Sequence, residues 1–175
     1  MTSTVDCPVY ALAAVWRAID HWPIGDRHRV RPRVPTAVCG ITFEAWPVAH
    51  SVIAPAAGYR VPAAASAVFY APDVLGIANL DDVLRGIRLY VGDGATLTRP
   101  IVRIERQKGV AVGHAPIATQ LDWCARAGVA RAIFTHCGRA IVAGPPSVGA
   151  QISELGRARH VVAEVAYDGL QTVLG

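Results

Sequence analysis

The sequence has few charged residues, almost no lysine and no paired cysteines. Charged residues make up 17% of the chain, against about 25% in ordinary globular proteins. Of the 17 basic residues only Lys108 is a lysine, so arginine supplies the net charge of +4. The 4 cysteines are widely scattered without a Cys-x-x-Cys pair, which disfavours a zinc knuckle and a disulfide framework. We therefore expect free, buried thiols.

The chain also lacks a long apolar run and a leader-like start. Hydrophobic residues make up 53% of the sequence and the mean hydropathy is +0.34, but prolines and arginines interrupt each apolar stretch before it reaches the roughly 20 residues that span a bilayer. The opening MTSTVDCPVY has no basic region followed by an apolar core. The sequence predicts a cytoplasmic protein with a single domain over residues 1–175.

The stretch DRHRVRPRV contains arginines at alternating positions. An extended backbone would place these side chains on one face, as in a phosphate or nucleic-acid contact. Pro32 and Pro35 favour a solvated edge or loop instead, and this is the interpretation we prefer. The tryptophans lie apart from these arginines in sequence, which favours core or interface roles over base stacking. The arginines are Arg27, Arg29, Arg31 and Arg33.

Apolar runs and turn residues predict strands intermixed with helices. TAVCGITFEAWPVAH predicts a hairpin that turns at Gly40. NLDDVLRG predicts a short helix with Asn79 as its N-cap. HAPIATQLDWCARAG predicts an amphipathic helix, with Pro116 in its first turn and Gly128 at its end. The closing run LQTVLG predicts a last strand, which gives an α/β fold in all.

Four polar residues each follow an apolar run. His50 ends FEAWPVAH, Asp73 ends AVFYAPD, Asp93 ends LYVGD and His136 ends ARAIFTH. Because sheet geometry gathers strand ends at one rim, these side chains are expected to converge. Histidines beside a carboxylate suit zinc, manganese or iron. The sequence therefore predicts a metal site at the rim of a sheet.

Five ordered segments resemble the metallo-β-lactamase-fold hydrolases, and in particular their phosphodiesterase branch. That branch includes the tRNA-end-processing endonuclease and the cyclic-phosphate phosphodiesterase of phosphonate breakdown. The resemblance covers the chain from about Cys7 on, and it implies an αββα sandwich with a mixed sheet and helices on its outer face. The segments are PVAHSVIAPAAGYRV, VFYAPDV, YVGDGATL, GHAPIATQLDWCARAGVARAIFTHCG and AYDGLQTVL.

The resemblance also implies roles for individual residues. His50, Asp73 and His136 correspond to metal ligands, with Asp73 at the position of the aspartate that bridges two metals. His114 corresponds to the histidine that assists phosphoryl transfer or protonates the leaving group, and Asp93 to the acidic residue that orients it. The implied activity is metal-dependent hydrolysis of phosphodiester or related ester bonds. The implied cofactor is a divalent metal, zinc before manganese or iron.

The sequence departs from the family in lacking its His-x-His-x-Asp-His motif. None of the 6 histidines has another histidine two residues away. The resemblance thus implies a partial fold, missing its N-terminal part, with the three remaining ligands divided between two metal positions. A hydrolase that is truncated or completed by another chain is expected. The alternatives are a catalytically inactive scaffold or binding protein derived from that fold, and an RNA-binding remnant.

The high apolar fraction bears on the partners of the chain. An inner face left uncovered by a partial fold would expose apolar surface, which favours association. We therefore expect a homodimer or larger assembly, or a second chain that supplies the missing metal ligands. A membrane partner is not expected, and a nucleic acid is the less favoured partner.

Overall fold

The computed structural model describes residues 7–52, 55–63 and 65–174, and its main element is a mixed eight-stranded sheet. Strands β6, β8, β11 and β12 run parallel to one another, whereas β3, β4, β5 and the short β7 pair in antiparallel fashion. The strands of this sheet are β3 (Thr36–Val38), β4 (Ile41–Ala49), β5 (Ala56–Ala63), β6 (Ser66–Tyr70), β7 (Gly76–Ile77), β8 (Ile87–Asp93), β11 (Arg131–Thr135) and β12 (Val162–Val165).

Most of the helices pack on one face of the large sheet. The amphipathic helix predicted from HAPIATQLDWCARAG is confirmed as α3, and it buries Leu121 and Cys124 against strand residues that include Tyr90 and Phe134. Burial raises the pKa of the Cys124 thiol to about 12. The chain buries only some of its thiols, since Cys7 and Cys39 are exposed. The helices are α1 (Ala13–Ala18), α2 (Leu80–Leu84), α3 (Ile117–Ala127), α4 (Arg139–Val142) and α5 (Ser147–Arg157).

A small sheet packs on the opposite face of the large one. Strands β1 (Val9–Leu12) and β2 (Arg27–Val30) pair in parallel, and α1 packs beside them. Leu12 and Val30 form a second core with Ala45 of β4. Trp46, the next residue of β4, packs into the helix-side core instead, as the alternation of a strand requires. The large sheet is therefore covered on both faces at β4, and the mixed α/β fold expected from the sequence is confirmed.

The remaining strands form a separate hairpin that the sequence did not predict. β9 (Ile101–Glu105) and β10 (Val110–His114) pair in antiparallel register, with His114 opposite Ile101. Most of its side chains lie at the surface, so the run shows no alternation of apolar and polar residues. The hairpin carries His114 to the edge of the large sheet where β4 ends, because the Gly113 amide donates a hydrogen bond to the carbonyl of His50.

Some local predictions are confirmed and others are wrong. The hairpin around Gly40 forms between β3 and β4. Helix α2 follows Asn79 as predicted, but Asn79 lies at φ +56° and its side chain makes no capping hydrogen bond. Residues 170–174 contain no strand, so the strand predicted from LQTVLG is wrong. Within the described residues, no helix is both long and apolar enough to span a membrane.

Candidate metal and catalytic site

The polar residues at the strand ends lie together at one edge of the large sheet. His50 follows β4, Asp73 lies between β6 and β7, and Asp93 ends β8. Because β8 and β11 are parallel neighbours with Thr135 opposite Asp93, His136 emerges beside that aspartate. His114 reaches the same place from the end of β10. The structure thus brings all five predicted site residues into one cluster, and their roles stay predictions.

Asp73 is the carboxylate that faces two of the histidines. Its Oδ1 lies 3.7 Å from Nε2 of His50 and 3.4 Å from Nδ1 of His136. His136 adopts φ +52°, an uncommon conformation for a residue other than glycine. About half of the His136 side chain and 41% of the Asp73 side chain are exposed. This part of the cluster is therefore open to solvent.

The ring of His50 is oriented by the backbone of the β9–β10 hairpin. Its Nδ1 lies 3.0 Å from the carbonyl oxygen of Gly113. Because a carbonyl oxygen only accepts hydrogen bonds, Nδ1 carries a proton, and in the neutral ring Nε2 keeps its lone pair. The Gly113 amide bonds back to the His50 carbonyl at 2.8 Å. This reciprocal pair, which we call the His50–Gly113 clamp, directs Nε2 towards Asp73.

Asp93 is fully buried and holds His114. Its Oδ2 accepts hydrogen bonds from Nδ1 of His114 at 2.7 Å and from the Val74 amide at 3.0 Å. Its Oδ1 accepts the Ala95 amide at 2.8 Å. The ring of His114 lies between those of His50 and His136, with centroid separations of 4.8 and 5.7 Å. Asp93 therefore fixes the orientation of His114 through Nδ1 and leaves its Nε2 outside that hydrogen bond.

Gln120 is a supporting residue that the sequence analysis missed. It is fully buried on α3, and its Nε2 donates to the carbonyls of Asp93 and Ala115 at 2.7 and 2.9 Å. Its Oε1 accepts the Asp93 amide and the Tyr90 hydroxyl, both at 2.9 Å. The sequence did contain a signal for this role: Gln120 lies on the apolar face of a predicted helix, between Ile117 and Leu121, and a buried polar side chain needs hydrogen-bond partners.

Close packing around Gly94 joins the loops that carry Asp93 and His136. A Cβ on Gly94 would lie 2.6 Å from the Cys137 sulfur and 2.8 Å from the Thr135 carbonyl oxygen. The Cys137 thiol donates to the Phe134 carbonyl at 3.6 Å. Burial, followed by the negative charge of Asp93, raises the pKa of this thiol. Cys137 is partly buried and acts as a small packing residue here.

The donor set fits a divalent metal. Atoms bound tetrahedrally to one zinc ion at about 2.0–2.2 Å lie roughly 3.4 Å apart, close to the separations of Asp73 Oδ1 from His136 and His50. Histidine ligands commonly donate their other ring N–H to a carbonyl, as His50 does to Gly113. Ligand atoms of Asp73, Asp93, His114 and His136 lie within 4.8 Å of one another, whereas His50 is not in that group and meets it through its 3.7 Å contact with Asp73. Asp93 is the least suited to bind a metal, because its oxygens already accept three hydrogen bonds.

A cavity of about 380 Å³ opens beside the cluster. His50, Ser51 and His114 line one side and β9 lines the other, including the exposed side chain of Arg103. Arg103 was not among the predicted site residues, because nothing in the sequence placed β9 next to β4. Its guanidinium gives the cavity a positive group suited to a phosphate.

Replacing Gln120 by Leu tests whether this side chain holds Asp93 in place. The change leaves buried groups of Asp93, Tyr90 and Ala115 without partners, at about 1–3 kcal/mol for each buried group. We expect the free energy of unfolding, measured by urea titration, to fall by at least about 3 kcal/mol. The matched change Gln151→Leu on the exposed face of α5 should alter it by less than about 0.5 kcal/mol. Equal stability of the two variants would contradict this role.

Residues 2–137 match the family described as "Beta-lactamase superfamily domain". Ribonuclease Z of Mycobacterium avium (strain 104) is 29% identical over 108 residues, which is 60% of this chain and 38% of that protein. The chain thus spans well under half the length of this curated relative.

Solved structures share the fold at low sequence identity. A new diphosphatase of the PhnP family superposes with a TM-score of 0.67 and 19% identity, covering 95% of this chain and 57% of that one. The metallo-beta-lactamase fold protein YhfI from Bacillus subtilis gives a TM-score of 0.65 and 13% identity, covering 93% and 62%. The chain belongs to the beta-lactamase superfamily domain family, and its fold is that of the metallo-β-lactamases.

Proposed function

We propose that this chain is a metal-dependent hydrolase that acts on phosphodiester or related ester bonds. The observation that carries the proposal is the convergence of His50, Asp73 and His136 with the hydrogen-bonded pair His114–Asp93. The similarity to a ribonuclease Z and to a diphosphatase supports phosphate esters as the substrate class. Hydrolysis needs a polarised phosphoryl group, an activated water and a protonated leaving group, and the cluster offers a group for each need.

His50, Asp73 and His136 would hold the metal, with zinc preferred and manganese or iron as alternatives. Neutral imidazole nitrogen and carboxylate oxygen are ligands that all three metals accept. A divalent ion supplies Lewis-acid polarisation of a phosphoryl oxygen and makes water a stronger nucleophile. Two features of the chain prepare this set: the His50–Gly113 clamp fixes one ring, and the His136 backbone turns the second towards Asp73.

His114 is the proposed general acid, and Asp93 is its positioning residue. In the protonated ring, Nδ1–H donates to Asp93, and Nε2–H is the second N–H of a ring that lies beside those of His50 and His136. Nε2 can then pass its proton to the oxygen of the leaving group. The buried carboxylate of Asp93 stabilises the positive charge of the ring before that transfer. The neutral ring left afterwards keeps its orientation, because Nδ1–H still donates to Asp93.

The metal assignment is tested by elemental analysis of chains purified after zinc loading and dialysis. We expect the wild type to retain zinc and the double variant Asp73→Ala/His136→Ala to lose it, since two of three ligands are gone. The control is Asp81→Ala/His21→Ala, which removes the same residue types from exposed positions elsewhere. Wild type without metal, or equal retention in all three chains, would reject the assignment.

The role of His114 is tested by comparing two leaving groups. We expect His114→Ala to slow hydrolysis of thymidylyl-thymidine by about 10²–10⁴-fold, because its alcohol leaving group needs a proton. Bis(p-nitrophenyl) phosphate releases a stable phenolate, so its hydrolysis should slow far less. The control is His21→Ala, at an exposed histidine outside the site. Equal losses on both substrates would contradict general-acid catalysis, and no metal-dependent hydrolysis by the wild type would overturn the proposed function.

A homodimer or larger assembly stays a proposal, and an exposed apolar strip supports it. Ile101, Val102, Ile104 and Val110 on the β9–β10 hairpin are each between 45% and 59% exposed. Such a strip favours association through the hydrophobic effect. We expect light scattering to give at least twice the 18.5 kDa mass of the chain, and Ile104→Glu to lower it. A wild-type monomer that binds no hydrophobic dye would overturn this expectation.

A further inference from the structure

The structure separates the four alternating arginines of DRHRVRPRV into two kinds. The guanidinium of Arg27 lies 5.2 Å from the Trp16 ring centre and donates to the carbonyls of Asp20, Trp22 and Ile24. The guanidinium of Arg33 lies 4.9 Å from the Trp46 ring centre. Tryptophans and arginines therefore do meet, contrary to their separation in sequence. These two arginines have structural partners.

Arg29 and Arg31 are different. Among the described residues, neither guanidinium has a hydrogen-bond or ion-pair partner, and both side chains are exposed. They line a cavity of about 460 Å³ together with Arg17 of α1. None of the described residues that line this cavity is acidic. Three positive side chains without counter-charges make the cavity a site for an anion, because arginine pairs readily with phosphate oxygens.

This arginine cavity adjoins the candidate active site. Ser51, which follows His50, lies in its wall and also in the wall of the cavity that contains His114 and Arg103. An anion held by Arg29 and Arg31 would therefore sit next to a group bound at the metal cluster. A substrate with one phosphate can occupy only one of the two cavities. A substrate with a second phosphate can occupy both.

We propose that the arginine cavity binds a second phosphate group of the substrate, next to the phosphodiester that is hydrolysed. The inference rests on the proposed function, because the cavity can bind a second phosphate of the substrate only if the neighbouring cluster is the hydrolytic site. It narrows the substrate class to phosphodiesters with at least one further phosphate. The further phosphate can belong to a nucleic-acid strand or to a small molecule, since the same chemistry recognises both.

Kinetics with matched substrates test the proposal. Thymidylyl-thymidine has one phosphate, and its 5′-phosphorylated form and a ten-residue oligothymidylate have more. We expect the wild type to show a KM about tenfold lower for the phosphorylated dinucleotide, as for a hydrogen bond to a charged group. Arg29→Gln/Arg31→Gln should remove this difference in KM and leave the KM for thymidylyl-thymidine unchanged. A further gain with the oligothymidylate would support a strand as the source, and no further gain would support a small molecule.

The control variant is Arg88→Gln/Arg126→Gln, which removes the same charge elsewhere. Arg88 lies near the start of β8, whereas Asp93 ends it, and Arg126 lies in the last turn of α3. The control should keep the wild-type preference for the second phosphate. If Arg29→Gln/Arg31→Gln also keeps that preference, the proposal is overturned.

A binding measurement separates failure of this inference from failure of the proposed function. Anisotropy of a fluorescent oligothymidylate is followed in EDTA at 50–200 mM NaCl, so no hydrolysis is required. Loss of one phosphate contact should flatten the dependence of log affinity on log salt by about 0.7, and the control should match the wild type. If the double variant shows a flatter salt dependence but the wild type hydrolyses no substrate, phosphate binding at the cavity is supported and only the hydrolase function is rejected. Identical slopes in all three chains would overturn the cavity.

Discussion

The whole site depends on the stabilisation of one buried carboxylate. Asp93 has no solvent exposure, and a carboxylate out of water is stable only when its oxygens are hydrogen-bonded and its charge is compensated. Val74, Ala95 and His114 supply those hydrogen bonds. They come from the loop after β6, the end of β8 and the end of β10. The carboxylate therefore holds together three segments that are distant in sequence and carry the rest of the site.

A second principle of the site is that the rings of His50 and His114 are each oriented by a hydrogen bond through Nδ1. The carbonyl of Gly113 orients His50, and the carboxylate of Asp93 orients His114. Gln120 in turn fixes the backbone of Asp93 from the buried side of α3. The rings of His50 and His114 thus each have Nδ1 engaged in a supporting hydrogen bond, which leaves Nε2 outside it. Such support keeps reacting groups in place without occupying the space that a substrate needs.

The sequence predicted the elements that have local signals. It did not predict contacts between segments that are distant along the chain. The apolar runs that end at Asp93 and His136 predicted where two strands end, because β8 and β11 are buried parallel strands with clear boundaries. The β9–β10 hairpin lacks that signal, since its side chains are mostly exposed. Its contact with His50 spans 63 positions. Neither that contact nor the cavity beside Arg103 could be inferred from local patterns.

The β9–β10 hairpin supports His50 with main-chain atoms of Gly113, whereas it lines the cavity with side chains. Gly113 lies at φ +136°, and a Cβ there would overlap the carbonyl oxygen of Ile101, so only glycine permits this approach. It holds His50 through main-chain atoms alone. Neighbouring side chains such as Arg103 face the cavity and take no part in that bond. In the proposed hydrolase, selectivity can therefore change by substitution along β9 while the main chain of β10 preserves the orientation of His50.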